Sequence, residues 1–218
     1  MTSQKYLKFD NYMDSPIMFS AEELGLLSNK ELFILKSNLI KKISGLFGSL
    51  SEELKKEMVP FQHLIPVEAL QSYPKISRGE NYHGFPWMVL DYPRSFIHED
   101  VFAFRSLCWW GHEFSFTLHL GGKHLDTIRP FLTEFLATIN NDGIYICIHD
   151  SPWNYYFEKD NYQLLSDFLV QEKDITEWSS KRTFIKLSKT SNLENYHEIS
   201  KTGSDFLKLI LQETKKYL

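Results

Sequence analysis

The sequence predicts an α+β fold in which helices pack on a mostly antiparallel or mixed sheet of about five strands. Three observations carry that expectation. Apolar residues between positions 32 and 54 recur at helical spacing, the period changes to that of strands from Phe85 onward, and an amphipathic stretch returns at about 204–217. No internal repeat, low-complexity tract or linker interrupts the 218 residues. A single domain over 1–218 is therefore expected, with a helical part at about 20–60, a sheet-containing part at about 85–190 and the terminal helix. Apolar residues make up 43% and aromatic residues 15% of the chain, enough material for a continuous core.

Ser28 and Glu31 form the S-x-x-E pattern of a capping box. Leu32, Phe33, Leu35, Leu39, Ile40, Ile43, Leu46, Phe47, Leu50 and Leu54 then supply the stripe of one long helix, or of two broken near 45–51. Pro60 and Pro66 close this region, and 61–84, rich in turn residues and without a sustained period, reads as a long ordered connection.

Strand signals follow at 85–92, 101–110, 113–121, 144–149 and 183–187. Only Gly111 and His112 separate the second from the third, which predicts a tight hairpin with Trp109 opposite Phe114. That register places Leu107, Phe116 and Leu118 on one face, and Ser106, Cys108, Ser115, Thr117 and His119 on the other. A helix is expected over 128–139, with Thr127 as N-cap and Pro130 in its first turn, and another over about 162–170. In the terminal helix Phe206, Leu207, Ile210 and Leu211 form the buried stripe.

A net charge of −4 and an isoelectric point near 6.1 lack the positive excess that attracts a phosphate backbone, so no nucleic-acid partner is expected. The lysine pairs at 41–42, 55–56 and 215–216 read as solvated helix faces, with acidic neighbours such as Glu52, Glu53 and Glu213. Cys108 and Cys147 each lie in an apolar strand-like run, which predicts two buried free thiols in a reducing compartment. The start of the chain, MTSQKYLKFD, lacks a secretory apolar core, and no later segment reaches 18 uncharged apolar residues. A cytoplasmic protein without a membrane partner is the expectation.

Function is written less plainly. The stretch 75–94 gathers Arg78, Glu80, Asp91 and Arg94 around one short apolar strand, and Arg105 on the next strand needs a carboxylate partner such as Asp91 or Glu80. These five are expected to meet in space. With His119 they are the candidate ligand-binding residues, because arginine presents a planar fork of donors that matches carboxylates and phosphates. The first reading is a non-catalytic module for a small anionic ligand or a protein partner. The alternative is a small enzyme with Glu80 or Asp91 as general base and Arg94 or Arg105 stabilising negative charge.

Other patterns carry less. His98, Asp100 and His149 have the order of a two-histidine, one-carboxylate metal set, but about five strands do not make the barrel such sites occupy, and no metal is assigned. Gly121, Gly122 and Lys123 lack the leading glycine and the hydroxyl residue of a phosphate loop. There is no nucleophile elbow, and no cofactor is assigned. The aromatic and polar run 150–156 reads as a secondary core beneath a long loop.

Overall fold

The computed structural model describes residues 18–139, 143–172 and 174–218. The chain enters through α1 (Ala21–Ser28), where the Ser20 hydroxyl accepts the Glu23 N–H at 3.1 Å and the Glu23 carboxylate accepts the Ser20 N–H at 2.7 Å. This capping box, at Ser20 and Glu23 and not at Ser28 and Glu31, opens a short helix that precedes the long one. Helix α2 (Lys30–Met58) is capped instead by Asn29, whose side-chain oxygen accepts the Leu32 N–H at 3.0 Å. Ser28 is unavailable as a cap because its hydroxyl donates back to the Leu24 carbonyl at 2.8 Å. Helix α2 runs unbroken through Gly45 and Gly48.

The region from Lys75 to Asn192 builds one sheet of seven antiparallel strands in the order β1-β2-β3-β4-β7-β5-β6. They are β1 (Lys75–Tyr82), β2 (Phe85–Ile97), β3 (Asp100–Trp109), β4 (Glu113–Gly121), β5 (Ile144–Cys147), β6 (Tyr162–Leu164) and β7 (Phe184–Asn192). Two strands exceed the expected five. Strand β1 lies in what reads as a connection, because an edge strand pairs on one side only and carries Lys75, Arg78, Gly79, Glu80 and Asn81 in place of an apolar alternation. Strand β6 is three residues long and runs directly into a helix, so its apolar run merges with the helical one.

Tight turns set the registers. β1 and β2 are joined by His83 and Gly84, both at positive φ (51° and 89°), the two-residue loop whose twist matches the strands it joins. The β3–β4 connection is longer than Gly111 and His112: Cys108 pairs with Phe114, Gly111 takes φ 75°, and the His112 N–H donates to the Trp109 carbonyl at 3.1 Å. A slip of one residue exchanges the faces of one strand relative to the other. Phe116 therefore pairs with Ser106 and shares its face with Cys108, Phe114 and Leu118, while Leu107 pairs with Ser115 on the opposite face with Arg105, Thr117 and His119.

Phe116's face carries the main core. Helix α2 contributes Phe47, Leu50, Leu54 and Met58, and α8, introduced below, contributes Phe206, Leu207, Ile210 and Leu211. Between α2 and the sheet lies α3 (Val67–Leu70), and the expected helix 128–139 is divided into α4 (Lys123–Ile128) and α5 (Leu132–Thr138) by a 3-10 turn at Arg129–Phe131. Pro130 has no N–H to continue an α-helix and so forces that division. Thr127 is no cap, since its hydroxyl donates to the Lys123 carbonyl at 2.8 Å. Helices α6 (Leu165–Gln171) and α7 (Ile175–Ser180) follow, and α8 (Ile199–Thr214) starts before position 204. A Cβ at Gly203 would come within 2.8 Å of the Phe116 ring, so a residue without a side chain lets α8 lie close to the sheet. Cys108 and Cys147 are free and buried. No described helix is long and apolar enough to cross a membrane.

Candidate functional site

The face turned away from the helices is covered by the long segment between β5 and β6. Register aligns Lys75, Asp91, Arg105, Thr117, Ser188 and Tyr145 in one row across six strands. One row further lie Ala103, His119 and Lys186. Polar side chains thus occupy the middle of a sheet whose other face is apolar.

The covering segment is tied down at several points. The Tyr155 N–H donates to the Tyr82 hydroxyl at 2.7 Å, and the Tyr155 ring packs with Val89, Leu107 and Trp109. Arg182 donates to the Ile148 carbonyl at 3.2 Å and to the Asp150 carboxylate at 3.0 Å. Trp153 stands 6.1 Å from the His119 ring and 6.4 Å from Phe96, with more than half of its own surface exposed.

Between this segment and β1–β3 opens a cleft of about 480 Å³. Trp87, Val89 and Leu107 supply apolar floor, Trp153 and Tyr155 line the covering side, and Lys75, Ser77, Asn81 and Tyr82 come from the edge strand. Gly79 makes room for one wall, because a Cβ there would sit 2.6 Å from the Trp87 indole. Asp91 and Arg105 form the charged part of the lining. Arg105 Nε donates to Asp91 Oδ1 at 2.7 Å and Nη2 to Oδ2 at 2.9 Å, a bidentate fork, and its guanidinium carbon lies 4.7 Å from the centre of the Tyr155 ring. Burial alone would weaken the charge on Arg105, but Tyr155 and the Asp91 carboxylate outweigh it and hold the guanidinium more firmly charged than a free arginine. Burial pushes the Tyr155 hydroxyl up to about 12, against the pull of Arg105.

Beneath the covering segment lies a second cation. Lys186 is fully buried; its ammonium donates to the Asn154 carbonyl and lies 4.3 Å from the centre of the Tyr155 ring and 5.1 Å from that of Tyr162. No carboxylate pairs with it among the described residues. Burial pulls its pKa down to about 8. His119 beside it has an Nδ1 without a hydrogen-bond partner, and burial, reinforced by Lys186 and Arg105, lowers its pKa to about 3, so the imidazole is neutral.

Of the residues singled out from sequence, Asp91 and Arg105 come together; the five do not form one cluster. Arg78 and Glu80 alternate with Ser77 and Gly79 and so point to the helix side of β1, where Glu80 pairs with Lys36 of α2. Arg94 lies beyond the irregularity between Asp91 and Arg94 in β2, pairs with Ala103, and donates its backbone N–H to the Ser72 hydroxyl at 3.2 Å, with its Nε unpartnered. His119 is buried by Trp153 and stands outside the cleft lining. Among the described residues no three His, Cys, Asp or Glu side chains gather where a metal ion could be held. Asp100 of the His98, Asp100 and His149 pattern accepts the Lys123 N–H at 2.9 Å, and a Cβ at Gly122 would meet its carboxylate at 2.2 Å, so the glycine pair serves close packing against the β2–β3 turn.

Sequence reasoning missed Lys75, Tyr82, Trp87 and Lys186. The signal for Lys186 was present: a lysine between Ile185 and Leu187 in a strand has its two neighbours on the core face and must itself occupy the other. Comparison with protein-family models, curated proteins and solved structures finds no match to this chain.

Proposed function

We propose that the cleft binds a small ligand that carries an anionic group on a flat apolar or aromatic body. One observation carries this reading: Lys75 and Arg105 face a single carboxylate, Asp91, so the lining holds one uncompensated positive charge beside the Trp87, Tyr82 and Trp153 rings. A volume of about 480 Å³ suits a small molecule, and concave apolar walls with a few convergent polar groups are the usual form of such sites. Both oxygens of Asp91, the one carboxylate among the described lining residues, are engaged by Arg105. No free base then faces the cleft, which favours binding over proton abstraction.

Trp87 and Trp153 provide the readout. Benzoate, which does not emit in the indole band, is expected to change the tryptophan fluorescence and to raise the melting temperature at concentrations well above Kd. Lys75→Gln should weaken both effects while leaving the fold of the unliganded protein unchanged, since Lys75 is exposed at the edge strand and a neutral side chain adds no repulsion to Asp91 opposite it. If aromatic and aliphatic carboxylates and inorganic phosphate all leave fluorescence and melting temperature unchanged, the reading is wrong.

A further inference from the structure

Helix α2 is about 43 Å long at 1.5 Å per residue, yet its buried residues begin only at Phe47. Ahead of them Leu32, Leu35, Leu39, Ile43 and Leu46 fall within about 80° of one another around the helix axis, a continuous stripe at 100° per residue. Leu32, Leu35 and Leu39 are exposed, as are Leu24, Leu26 and Leu27 of α1, and no residue of α1 is buried among the described residues. The stripe also forms one wall of an apolar groove of about 460 Å³, with Leu39, Ile43 and Leu46 facing Trp110, Leu193 and Tyr196. A contiguous exposed apolar surface of this kind marks an interface.

We propose that this arm, α1 with the first half of α2, is a homodimer surface, two arms packing antiparallel about a two-fold axis so that each α1 covers the groove of the other copy. Size supports a second copy. Leu24, Leu26, Leu27, Leu32, Leu35 and Leu39 of the arm and Tyr196 of the groove are 39% to 63% exposed, and at on the order of 100 Å² apiece they supply most of the roughly 800 Å² per partner that a stable interface needs. Charge supports the orientation. The arm is acidic at its start, with Glu22 and Glu23 in the first turn of α1, and basic further on, at Lys41 and Lys42. An antiparallel pairing with its axis near Leu32 sets the acidic turn of one copy beside Lys42 of the other, which lines the groove, and an isologous contact repeats it twice. A lipid surface fits less well, because helices that lie on membranes carry one dominant basic sign, whereas this arm mixes Glu22, Glu23 and Glu31 with its lysines.

Sedimentation equilibrium of the full chain at micromolar concentrations is expected to give twice the 25.7 kDa protomer mass. Leu35→Glu with Leu39→Glu should give the protomer mass with unchanged far-ultraviolet circular dichroism, because both side chains are exposed in the protomer. Lys42→Glu should weaken dimerisation by about ten-fold, and adding Glu22→Lys, which leaves the Glu23 cap in place, should restore it. A protomer mass at every concentration overturns the proposal, as does a dimer that survives the two leucine substitutions or a charge reversal that fails to restore. A monomer that binds anionic vesicles through Leu35 and Leu39 also overturns it and assigns the arm to a lipid surface.

Discussion

Asp91→Ala removes both acceptors of Arg105 and leaves a guanidinium whose side chain is only 18% exposed beneath Tyr155. Breaking one member of a buried ion pair costs about 3–5 kcal/mol, mostly the penalty of the charge left behind. The Tyr155 ring at 4.7 Å still offsets part of that, which places the expected loss near the lower bound, about 3 kcal/mol. For a chain of 218 residues this corresponds to a fall in melting temperature of roughly 6–12 °C. Urea unfolding followed by circular dichroism, with the slope m unchanged from wild type, measures the loss directly. The double variant Asp91→Leu with Arg105→Met separates pair from packing: two apolar side chains of similar volume should recover most of the loss, to within about 1 kcal/mol of wild type. A single-variant loss below about 1 kcal/mol, or a double variant worse than either single one, would refute the view that the cleft's charged floor is a desolvated ion pair.

Three further outcomes are expected. Phe116→Ala should cost about 3–5 kcal/mol, measured by the same unfolding curves, because the ring is fully buried against Gly203 of α8 and Leu50 of α2; a loss below about 1 kcal/mol would remove it from the core. Lys186 titrates near 8 in the folded protein and near 10.5 unfolded, so the unfolded chain binds more protons between those values and stability should rise with pH across them, by up to about 3 kcal/mol. Lys186→Met should lose that rise, and an unchanged pH slope would show that the ammonium is not desolvated. His119, neutral down to about pH 3 when folded, contributes stability that is complete above its ordinary value of 6.5 and lost as pH falls toward 3; His119→Leu should flatten the acid limb of the stability curve, and an identical limb would place the ring in water.

The site was partly legible. Arg105 flanked by apolar residues in a strand required a carboxylate, and Asp91 was one of two candidates within the adjacent segment; cross-strand pairing opposite Arg105 selected it. Glu80 was the other candidate, but the alternation of β1 sends it to the helix side, where Lys36 of α2 meets it. Such a choice depends on which strands are neighbours, and β1 was unreadable as a strand because one of its edges faces no partner.

Local chemistry in the sequence by itself determined the α+β class, most of the strands, the buried stripe of the last helix and two free buried thiols, since each depends on the period of apolar residues or on composition. Tertiary structure decided the rest through discrete, non-local choices. A turn one residue longer than Gly111 and His112 put Phe116 and Leu107 on opposite faces, and the covering of Asp91, Arg105 and Lys186 by Tyr155 joined positions up to 95 residues apart. A strand's period names the two sets of residues that share a face but not which face meets helices, and only pairing between distant strands breaks that two-fold ambiguity.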